Sequence, residues 1–156
     1  MSKTKHDRGA IYVFIQAVLL IALFFGPADL LGKPETIHYP LWLIGRAFFY
    51  LGLGIAIWAA ISLGPNLTPL PKPKQNGELI QTGIYKMVRH PIYFGVILLS
   101  FGWAATLQSW YTLAVAIALL IFFDVKSRKE EEWLLEKFPS YQDYQQRTKK
   151  LIPLIY

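Results

Sequence analysis

Two short polar clusters in an otherwise apolar chain hold the residue types that could do chemistry. The first contains Arg89, His90 and Pro91, flanked by Tyr85 and Tyr93. Proline suits the first turn of a helix, so His90 is predicted to lie at a helix N-terminus. Free N–H groups and the positive end of the helix dipole would there favour an anionic ligand group. The simpler interpretation of an isolated Arg-His pair is an anchor at a membrane interface.

The second cluster contains Lys126 and three adjacent carboxylates that begin at Glu130 and end at Glu132. A charge run of this kind is usually a solvated surface. Glu130, however, follows an apolar run by only a few residues and could face back toward His90. A carboxylate in that place could accept two hydrogen bonds from paired hydroxyl groups, such as those of a ribose.

The residue inventory excludes several other kinds of chemistry. The chain has no cysteine, which excludes thiolate metal sites, iron–sulfur clusters and a cysteine nucleophile. With only three histidines, an all-histidine metal site is not expected. Glycine-rich phosphate loops and Ser-His-Asp patterns are also missing from the sequence. We therefore expect no metal.

The composition indicates a small integral membrane protein. Of the 156 residues, 54% are hydrophobic and only 17% are charged. The apolar residues are clustered in long runs, unlike those of a soluble or a disordered chain. The chain length corresponds to a single domain over residues 1–156.

Three apolar runs predict four membrane spans. The run over residues 10–26 is a short span, for which a signal peptide is the alternative. The run at 92–123 would be about 48 Å long as one helix, too long for a core of about 30 Å, so a turn near residues 106–110 is expected. The predicted spans are residues 10–26, 41–63, 91–106 and 109–124.

The positions of the basic residues select the topology. With four spans, nearly all of them lie on one side of the membrane, so the positive-inside rule places both termini in the cytoplasm. Lys33 falls on the other side, and Arg46 is expected to snorkel from within the second span. The basic residues on the cytoplasmic side are Lys3, Lys5, Arg8, Lys72, Lys74, Lys86, Arg89, Lys126, Arg128, Lys129, Lys137, Arg147, Lys149 and Lys150. The net charge of +6 is thereby explained without a nucleic-acid partner.

Two polar segments would lie in the cytoplasm. Residues 64–90 contain four prolines that prevent a continuous helix, and irregular segments of this length are often functional. Residues 125–156 are predicted to extend the fourth span as a helix that breaks near Pro139. The predicted fold is therefore an all-α integral membrane protein. It has about four transmembrane helices, the last two forming a hairpin, and a cytoplasmic C-terminal helical tail.

The two clusters together resemble the isoprenylcysteine carboxyl methyltransferase family and its small bacterial relatives. The segment LIQTGIYKMVRHPIYFGVILLSFGWA is similar to the hallmark of that family. The tail KSRKEEEWLLEKFPSYQDYQQRTKKLIP is similar to its C-terminal signature, with Glu130 and Glu131 as the acidic pair ahead of Phe138. The resemblance extends roughly from Leu70 to Pro153.

The resemblance implies a site for S-adenosylmethionine that is not built on a Rossmann fold. Residues 77–80 and Tyr85 would form the cytoplasmic wall, residues 90–93 would contact the cofactor, and Glu130 would hold its polar groups. Lys126 lies where the eukaryotic enzymes have an arginine on the substrate side, which implies a substrate-binding role. The residues assigned to the cofactor are Gly77, Glu78, Leu79, Ile80, Tyr85, Arg89, His90, Pro91, Ile92, Tyr93 and Glu130.

The implied function is methyl transfer to a lipophilic acceptor, such as the carboxylate of a prenylated or lipid-like molecule, in the inner membrane of a bacterium. Membrane lipids are expected partners. One alternative is a methyltransferase that acts on phospholipid amines, and another is a non-catalytic membrane module that works with a partner protein. The helix arrangement is also similar to that of some sterol reductases, so a reductase that uses a nicotinamide cofactor is a third alternative.

Overall fold

The computed structural model describes residues 9–156, in which the regular secondary structure is helical and the one β-bridge is isolated. The α-helices are α1 (Ala10–Phe25), α2 (Tyr39–Leu63), α3 (Pro91–Leu107), α4 (Trp110–Lys137) and α5 (Tyr141–Arg147). Two of them, α2 and α4, are long and apolar enough to cross a membrane, while α1 and α3 are shorter apolar helices. The predicted all-α class is confirmed for these residues. The basic residues Lys3, Lys5 and Arg8 of the topology argument lie outside the described residues.

Helices α2 and α3 pack with their backbones in close contact. Gly45 and Gly52 lie on the buried face of α2, and each faces a glycine of α3. A Cβ atom added to Gly52 would lie 2.5 Å from the carbonyl oxygen of Gly95, and one added to Gly45 would lie 2.8 Å from that of Gly102. The order of these contacts makes the two helices antiparallel. Small residues at a helix interface permit this close approach, which is common between helices in a membrane.

The turn between α3 and α4 is fixed by polar side chains. Gln108 has a left-handed backbone conformation and ends α3, and the Ser109 hydroxyl caps α4 by accepting a hydrogen bond from the Thr112 amide at 3.1 Å. The Gln108 side-chain amide also bonds both backbone groups of His38, each at 3.0 Å. The start of α2 is thereby attached to this turn.

Large apolar side chains cover the outside of the helices. Phe25 of α1 and Ile61 of α2 are 84% and 73% exposed. The interior contains residues from three helices, including Leu23, Ile97 and Phe123. An apolar exterior of this extent is unusual for a soluble protein and is typical of helices surrounded by lipid.

The polar end of the helical bundle is covered by the segment between α2 and α3 together with the residues after α4. This segment is irregular apart from 3-10 turns at Gly64–Asn66 and Gly83–Lys86. Helix α4 continues to Lys137, and the chain turns at Pro139 before α5. Backbone hydrogen bonds then join the end of the segment to the tail, from the Arg89 amide to the Lys149 carbonyl at 2.8 Å and from the His90 amide to the Lys150 carbonyl at 3.1 Å.

Candidate functional site

A cleft opens at the polar end of the bundle, between the irregular segment and the residues that follow the apolar part of α4. It contains about 750 Å³ of empty space, including the part open to solvent. Its walls combine aromatic and aliphatic side chains with a few charged ones. The lining residues are Leu63, Asn66, Thr68, Leu70, Pro71, Pro73, Lys74, Gly77, Glu78, Leu79, Ile80, Tyr85, Arg89, Glu130, Leu134, Phe138, Tyr141 and Tyr144.

Glu130 joins this cleft to the start of α3. Its Oε1 atom accepts a short hydrogen bond from the Tyr93 hydroxyl. Its Oε2 atom lies 3.4 Å from Nδ1 of His90, whose ring stacks on that of Tyr93 with centroids 5.4 Å apart. The Tyr93 ring stacks in turn on Phe123 at 4.5 Å. These contacts hold the carboxylate in one position at the cleft wall.

The neighbouring carboxylate, Glu131, is held by three side chains. Its Oε1 atom lies 2.7 Å from Nε of Arg89 and 3.1 Å from Nε2 of His90, and its Oε2 atom accepts a hydrogen bond from the Gln145 amide at 3.0 Å. Burial would raise the pKa of Glu131, but the bonds from His90 and Arg89 outweigh burial and lower the pKa to about 2. Glu131 is therefore ionised.

His90 lies between the two carboxylates. Burial acts to lower the pKa of its imidazole, but the contacts with Glu130 and Glu131 outweigh burial, so the pKa lies above its ordinary value. His90 immediately precedes α3, and both carboxylates lie beyond the predicted fourth span. The protonated form of the imidazole is therefore favoured, and in that form each ring nitrogen carries a hydrogen and faces one carboxylate, Nδ1 that of Glu130 and Nε2 that of Glu131.

Lys126 has a different environment. Its side chain is 2% exposed, and Nζ donates to the Gln16 side-chain oxygen at 2.7 Å and to the Pro69 carbonyl at 3.3 Å. The ammonium group also lies 5.1 Å from the centre of the Tyr93 ring, a cation–π contact. Lys126 thus contacts α1 and α3 behind the wall of the cleft.

The residues predicted to hold the cofactor therefore fall into two groups. Residues 77–80, Tyr85, Arg89 and Glu130 line the cleft. The residues at the start of α3, His90, Pro91, Ile92 and Tyr93, are not among its lining residues. Within this second group, His90 and Tyr93 reach the cleft through their contacts with Glu130. Lys126, predicted to bind substrate, is also absent from the cleft wall.

Other residues of the site were not predicted. Tyr141 and Tyr144 are both buried and line the cleft, and the Tyr144 hydroxyl donates to the Tyr85 carbonyl at 2.5 Å. Asn66 accepts a hydrogen bond from the Glu78 amide at 2.8 Å and so shapes the opposite wall. The only sequence signal for the tyrosines is their three-residue spacing, which places both on one face of α5. For Asn66 there is no such signal.

Among the described residues, no group of three or more His, Cys, Asp or Glu side chains could hold a metal ion.

Comparisons with known proteins identify the family to which this chain belongs. The profile of the phospholipid methyltransferase family matches residues 41–141. Protein-S-isoprenylcysteine O-methyltransferase of Dictyostelium discoideum is 28% identical over 141 residues, covering 79% of this chain and 54% of that protein. Steroid 5-alpha-reductase DET2 of Gossypium hirsutum is 30% identical over 123 residues, covering 78% of this chain and 45% of that protein.

A solved structure shares the fold. The eukaryotic intramembrane Ras methyltransferase ICMT matches with a TM-score of 0.69 and 25% sequence identity, over 98% of this chain and 55% of that chain. The chain spans about half the length of these relatives.

The helical fold is thus shared with a membrane methyltransferase. The chain belongs to the phospholipid methyltransferase family, and its resemblance to isoprenylcysteine carboxyl methyltransferases is confirmed.

Proposed function

We propose that this protein transfers a methyl group from S-adenosylmethionine to a lipophilic acceptor, the carboxylate of a prenylated or lipid-like molecule. The observation that carries the proposal is the position of Glu130. Its carboxylate lines the cleft and is held from behind by Tyr93 and His90.

The residues around the cleft fit S-adenosylmethionine. Its ribose hydroxyls and its amino group are hydrogen-bond donors, and the carboxylates of Glu130 and Glu78 can accept from them. Its adenine is flat and apolar on both faces, and Tyr85, Phe138 and Tyr141 offer aromatic surface. The empty space of about 750 Å³ lies within the range of about 300–1,000 Å³ typical of small-molecule sites.

When bound, S-adenosylmethionine supplies an electrophilic methyl group on a positively charged sulfur. The chain itself has to orient the two reactants and to exclude water from the acceptor oxygen. A carboxylate acceptor needs no proton acceptor, so no residue is assigned as a catalytic acid or base. An amine acceptor would have to lose a proton first, and His90 suits that task poorly because its two carboxylate neighbours raise its pKa.

Lys126 is proposed to face the acceptor. Two of its ammonium hydrogens are directed to Gln16 and Pro69, and an ammonium group has three donors. The third could meet an acceptor carboxylate that enters between the helices from the lipid. In that position Lys126 would neutralise the acceptor before transfer and would contact the ester less strongly afterwards.

The proposed placement in the membrane has four spans. The four apolar helices α1 to α4 would cross the inner membrane of a bacterium, with both chain termini and the cleft in the cytoplasm. The support is the charge distribution of the sequence and the apolar exterior of α1 and α2. The water-soluble cofactor would then enter from the cytoplasm and the acceptor from the bilayer.

A transfer assay with a labelled methyl donor tests the proposal. The purified protein would be incubated with methyl-labelled S-adenosylmethionine and either a farnesylated cysteine analogue or a bacterial lipid extract. Methyl esters release methanol in mild alkali, whereas N-methyl groups are stable. Alkali-labile label in the lipophilic fraction is the expected result, and alkali-stable label would overturn the carboxylate assignment in favour of an amine.

The transfer assay together with cofactor-binding measurements separates the remaining alternatives. The family description names phospholipids, which keeps an amine headgroup as the second candidate acceptor. A non-catalytic module would transfer no label and would not bind S-adenosylhomocysteine, the demethylated cofactor. A reductase, as the similarity to a steroid 5-alpha-reductase suggests, would bind a nicotinamide cofactor instead.

A further inference from the structure

A second cavity lies outside the cleft, between the end of the irregular segment and the tail. It contains about 910 Å³ of empty space, including the part open to solvent. Three of its lining residues are the cations Lys86, Arg147 and Lys149, and all three are exposed. In the part of the chain that the structure describes, none of the three forms an ion pair with a carboxylate. The cavity is therefore a concentration of uncompensated positive charge.

The cavity lies at the level where the apolar helices end, as the contacts of the residues after Lys149 indicate. Asp124 follows the charge-free run of α3 and α4, and its Oδ1 atom contacts the Lys150 ammonium at 2.7 Å and the Tyr156 hydroxyl at 2.9 Å. The turn formed by residues 151–156 is thereby attached to the boundary between the apolar and polar parts of α4. A membrane surface would lie at this same level.

The exposed side chains of this turn are apolar. Leu154 is 90% exposed and Ile155 is 74% exposed, and Met87 on the other side of the cavity is also exposed. Leu154 has a left-handed backbone conformation (φ 67°), which is uncommon for a residue other than glycine. Large apolar side chains displayed next to unpaired cations are the pattern of a surface that meets lipid acyl chains and anionic headgroups together.

We propose that this cavity binds the headgroup of an anionic phospholipid, with Lys86, Arg147 and Lys149 around the phosphate and with Leu154 and Ile155 inserted among the acyl chains. Charge complementarity favours the anionic headgroup, and the exposed apolar turn favours a lipid over a free anion. An acidic protein segment would satisfy the cations but would leave Leu154 and Ile155 in water. The inference rests on the proposed placement in a membrane and is independent of methyl transfer.

Lipid selectivity of the purified full-length protein provides the first test. Binding of phosphatidylglycerol and of phosphatidylcholine would be measured by native mass spectrometry in a neutral detergent. The Lys86→Gln, Arg147→Gln, Lys149→Gln triple variant is expected to bind phosphatidylglycerol about 10- to 100-fold more weakly, since each basic side chain near an anionic headgroup adds to the attraction. A control variant with Lys33→Gln, Lys72→Gln and Lys129→Gln loses the same charge at positions that do not line the cavity and is expected to retain the preference.

Three results would overturn the proposal. They are equal binding of the two lipids by the unchanged protein, equal loss in both triple variants, and displacement of phosphatidylglycerol by inorganic phosphate or by polyglutamate at matched concentration. Titration of the first triple variant with S-adenosylhomocysteine keeps the two proposals separate. Normal binding in that titration together with lost lipid preference is the expected pair of results.

The depth of the turn is a second test that leaves the cations unchanged. The chain has no cysteine, so Ile155→Cys creates a unique position for a polarity-sensitive fluorophore. In phosphatidylglycerol vesicles its emission is expected to shift to the blue and to be quenched by a lipid-soluble quencher. Gln142→Cys, at an exposed position of α5, is the matched control and is expected to report water. Water-like emission from both positions would overturn the insertion of the turn.

Discussion

Arg89 and Glu131 form a mostly buried ion pair between the irregular segment and α4, with Nε and Oε1 2.7 Å apart. The guanidinium also donates to the carbonyl oxygens of Gln145 and Thr148, at 3.1 and 2.5 Å. One side chain thus fixes the segment that walls the cleft, the helix that carries Glu130, and the tail. The ion pair is therefore a structural support of the site.

Removal of this support is expected to destabilise the protein strongly. Arg89→Ala leaves Glu131 and two carbonyl oxygens without their main donor, and breaking a buried pair costs about 3–5 kcal/mol. The midpoint of unfolding in detergent measures this loss. Arg147→Ala serves as the control because Arg147 is exposed and bonds only a carbonyl of its own helix, and it is expected to unfold like the unchanged protein. Equal midpoints for the two variants would contradict the role of Arg89.

Tyr93→Phe is expected to weaken cofactor binding without unfolding the protein. The phenyl ring retains the stacking on His90 and Phe123, while Glu130 loses the hydroxyl that orients it. Hydrogen bonds to charged groups contribute about 1.5–3 kcal/mol, so the dissociation constant of S-adenosylhomocysteine is expected to rise by roughly tenfold or more. Tyr111→Phe removes a hydroxyl at the other end of the helices and should leave this constant unchanged. An unaltered constant in Tyr93→Phe would remove Tyr93 from the site.

The contact between α2 and α3 is tested by two glycines of the same helix. A Cβ atom on Gly52 would meet the backbone of Gly95 and Leu99 at 2.5 Å, so Gly52→Ala forces the helices apart and is expected to cost about 1–3 kcal/mol. Gly54 has nothing within 4 Å of its Cβ position. Gly54→Ala is therefore expected to be neutral or to stabilise α2 by about 0.5–1 kcal/mol. Similar unfolding midpoints for both variants would show that the helices are not in close contact.

Stability is expected to depend on pH through His90 and Glu131. The pKa of His90 lies above 6.5, so its contribution is complete below pH 6.5 and is lost as the pH rises through the folded-state value. The pKa of Glu131 is lowered from 4.5 to about 2, so its contribution is complete above pH 4.5 and is lost as the pH falls toward 2. The unfolding midpoint should therefore be highest between pH 4.5 and 6.5.

His90→Gln isolates the alkaline side of this profile. The variant cannot lose a proton near neutral pH, so the decline above pH 6.5 should become flatter. The acid side should become smaller but persist, because Arg89 still lowers the pKa of Glu131. Parallel profiles for the variant and the unchanged protein above pH 6.5 would contradict the role of protonated His90.

Much of the helical organisation could be predicted from the sequence because its signals are local. Pro91 and Pro139 mark changes of chain direction. Helix α3 begins at Pro91, and helix α4 ends at Lys137, just before Pro139. The turn at Gln108 lies at the polar interruption of the third apolar run. Apolar composition and turn residues act over a few positions, so one sequence suffices to detect them.

Apart from the approach of Glu130 to His90, the connections across the site could not be predicted because they depend on distant residues. Gln16 lies within the first apolar run, 110 positions before Lys126, yet it accepts the Lys126 hydrogen bond. Glu130 and Glu131 are adjacent, but the helix directs one to the cleft wall and the other to Arg89. The orientation of α4 about its own axis, relative to the neighbouring elements, therefore determines which carboxylate has which role.

The most direct test of the central claim is calorimetric titration of the detergent-purified protein with S-adenosylhomocysteine. We expect saturable binding by the unchanged protein, and binding at least about tenfold weaker by Glu130→Gln, which loses a charged hydrogen-bond acceptor. Glu132→Gln is the matched control, because its side chain is exposed on the same helix and pairs with Lys129, and it should bind normally. Absence of binding by the folded, unchanged protein, or equal binding by Glu130→Gln, would contradict the proposed site.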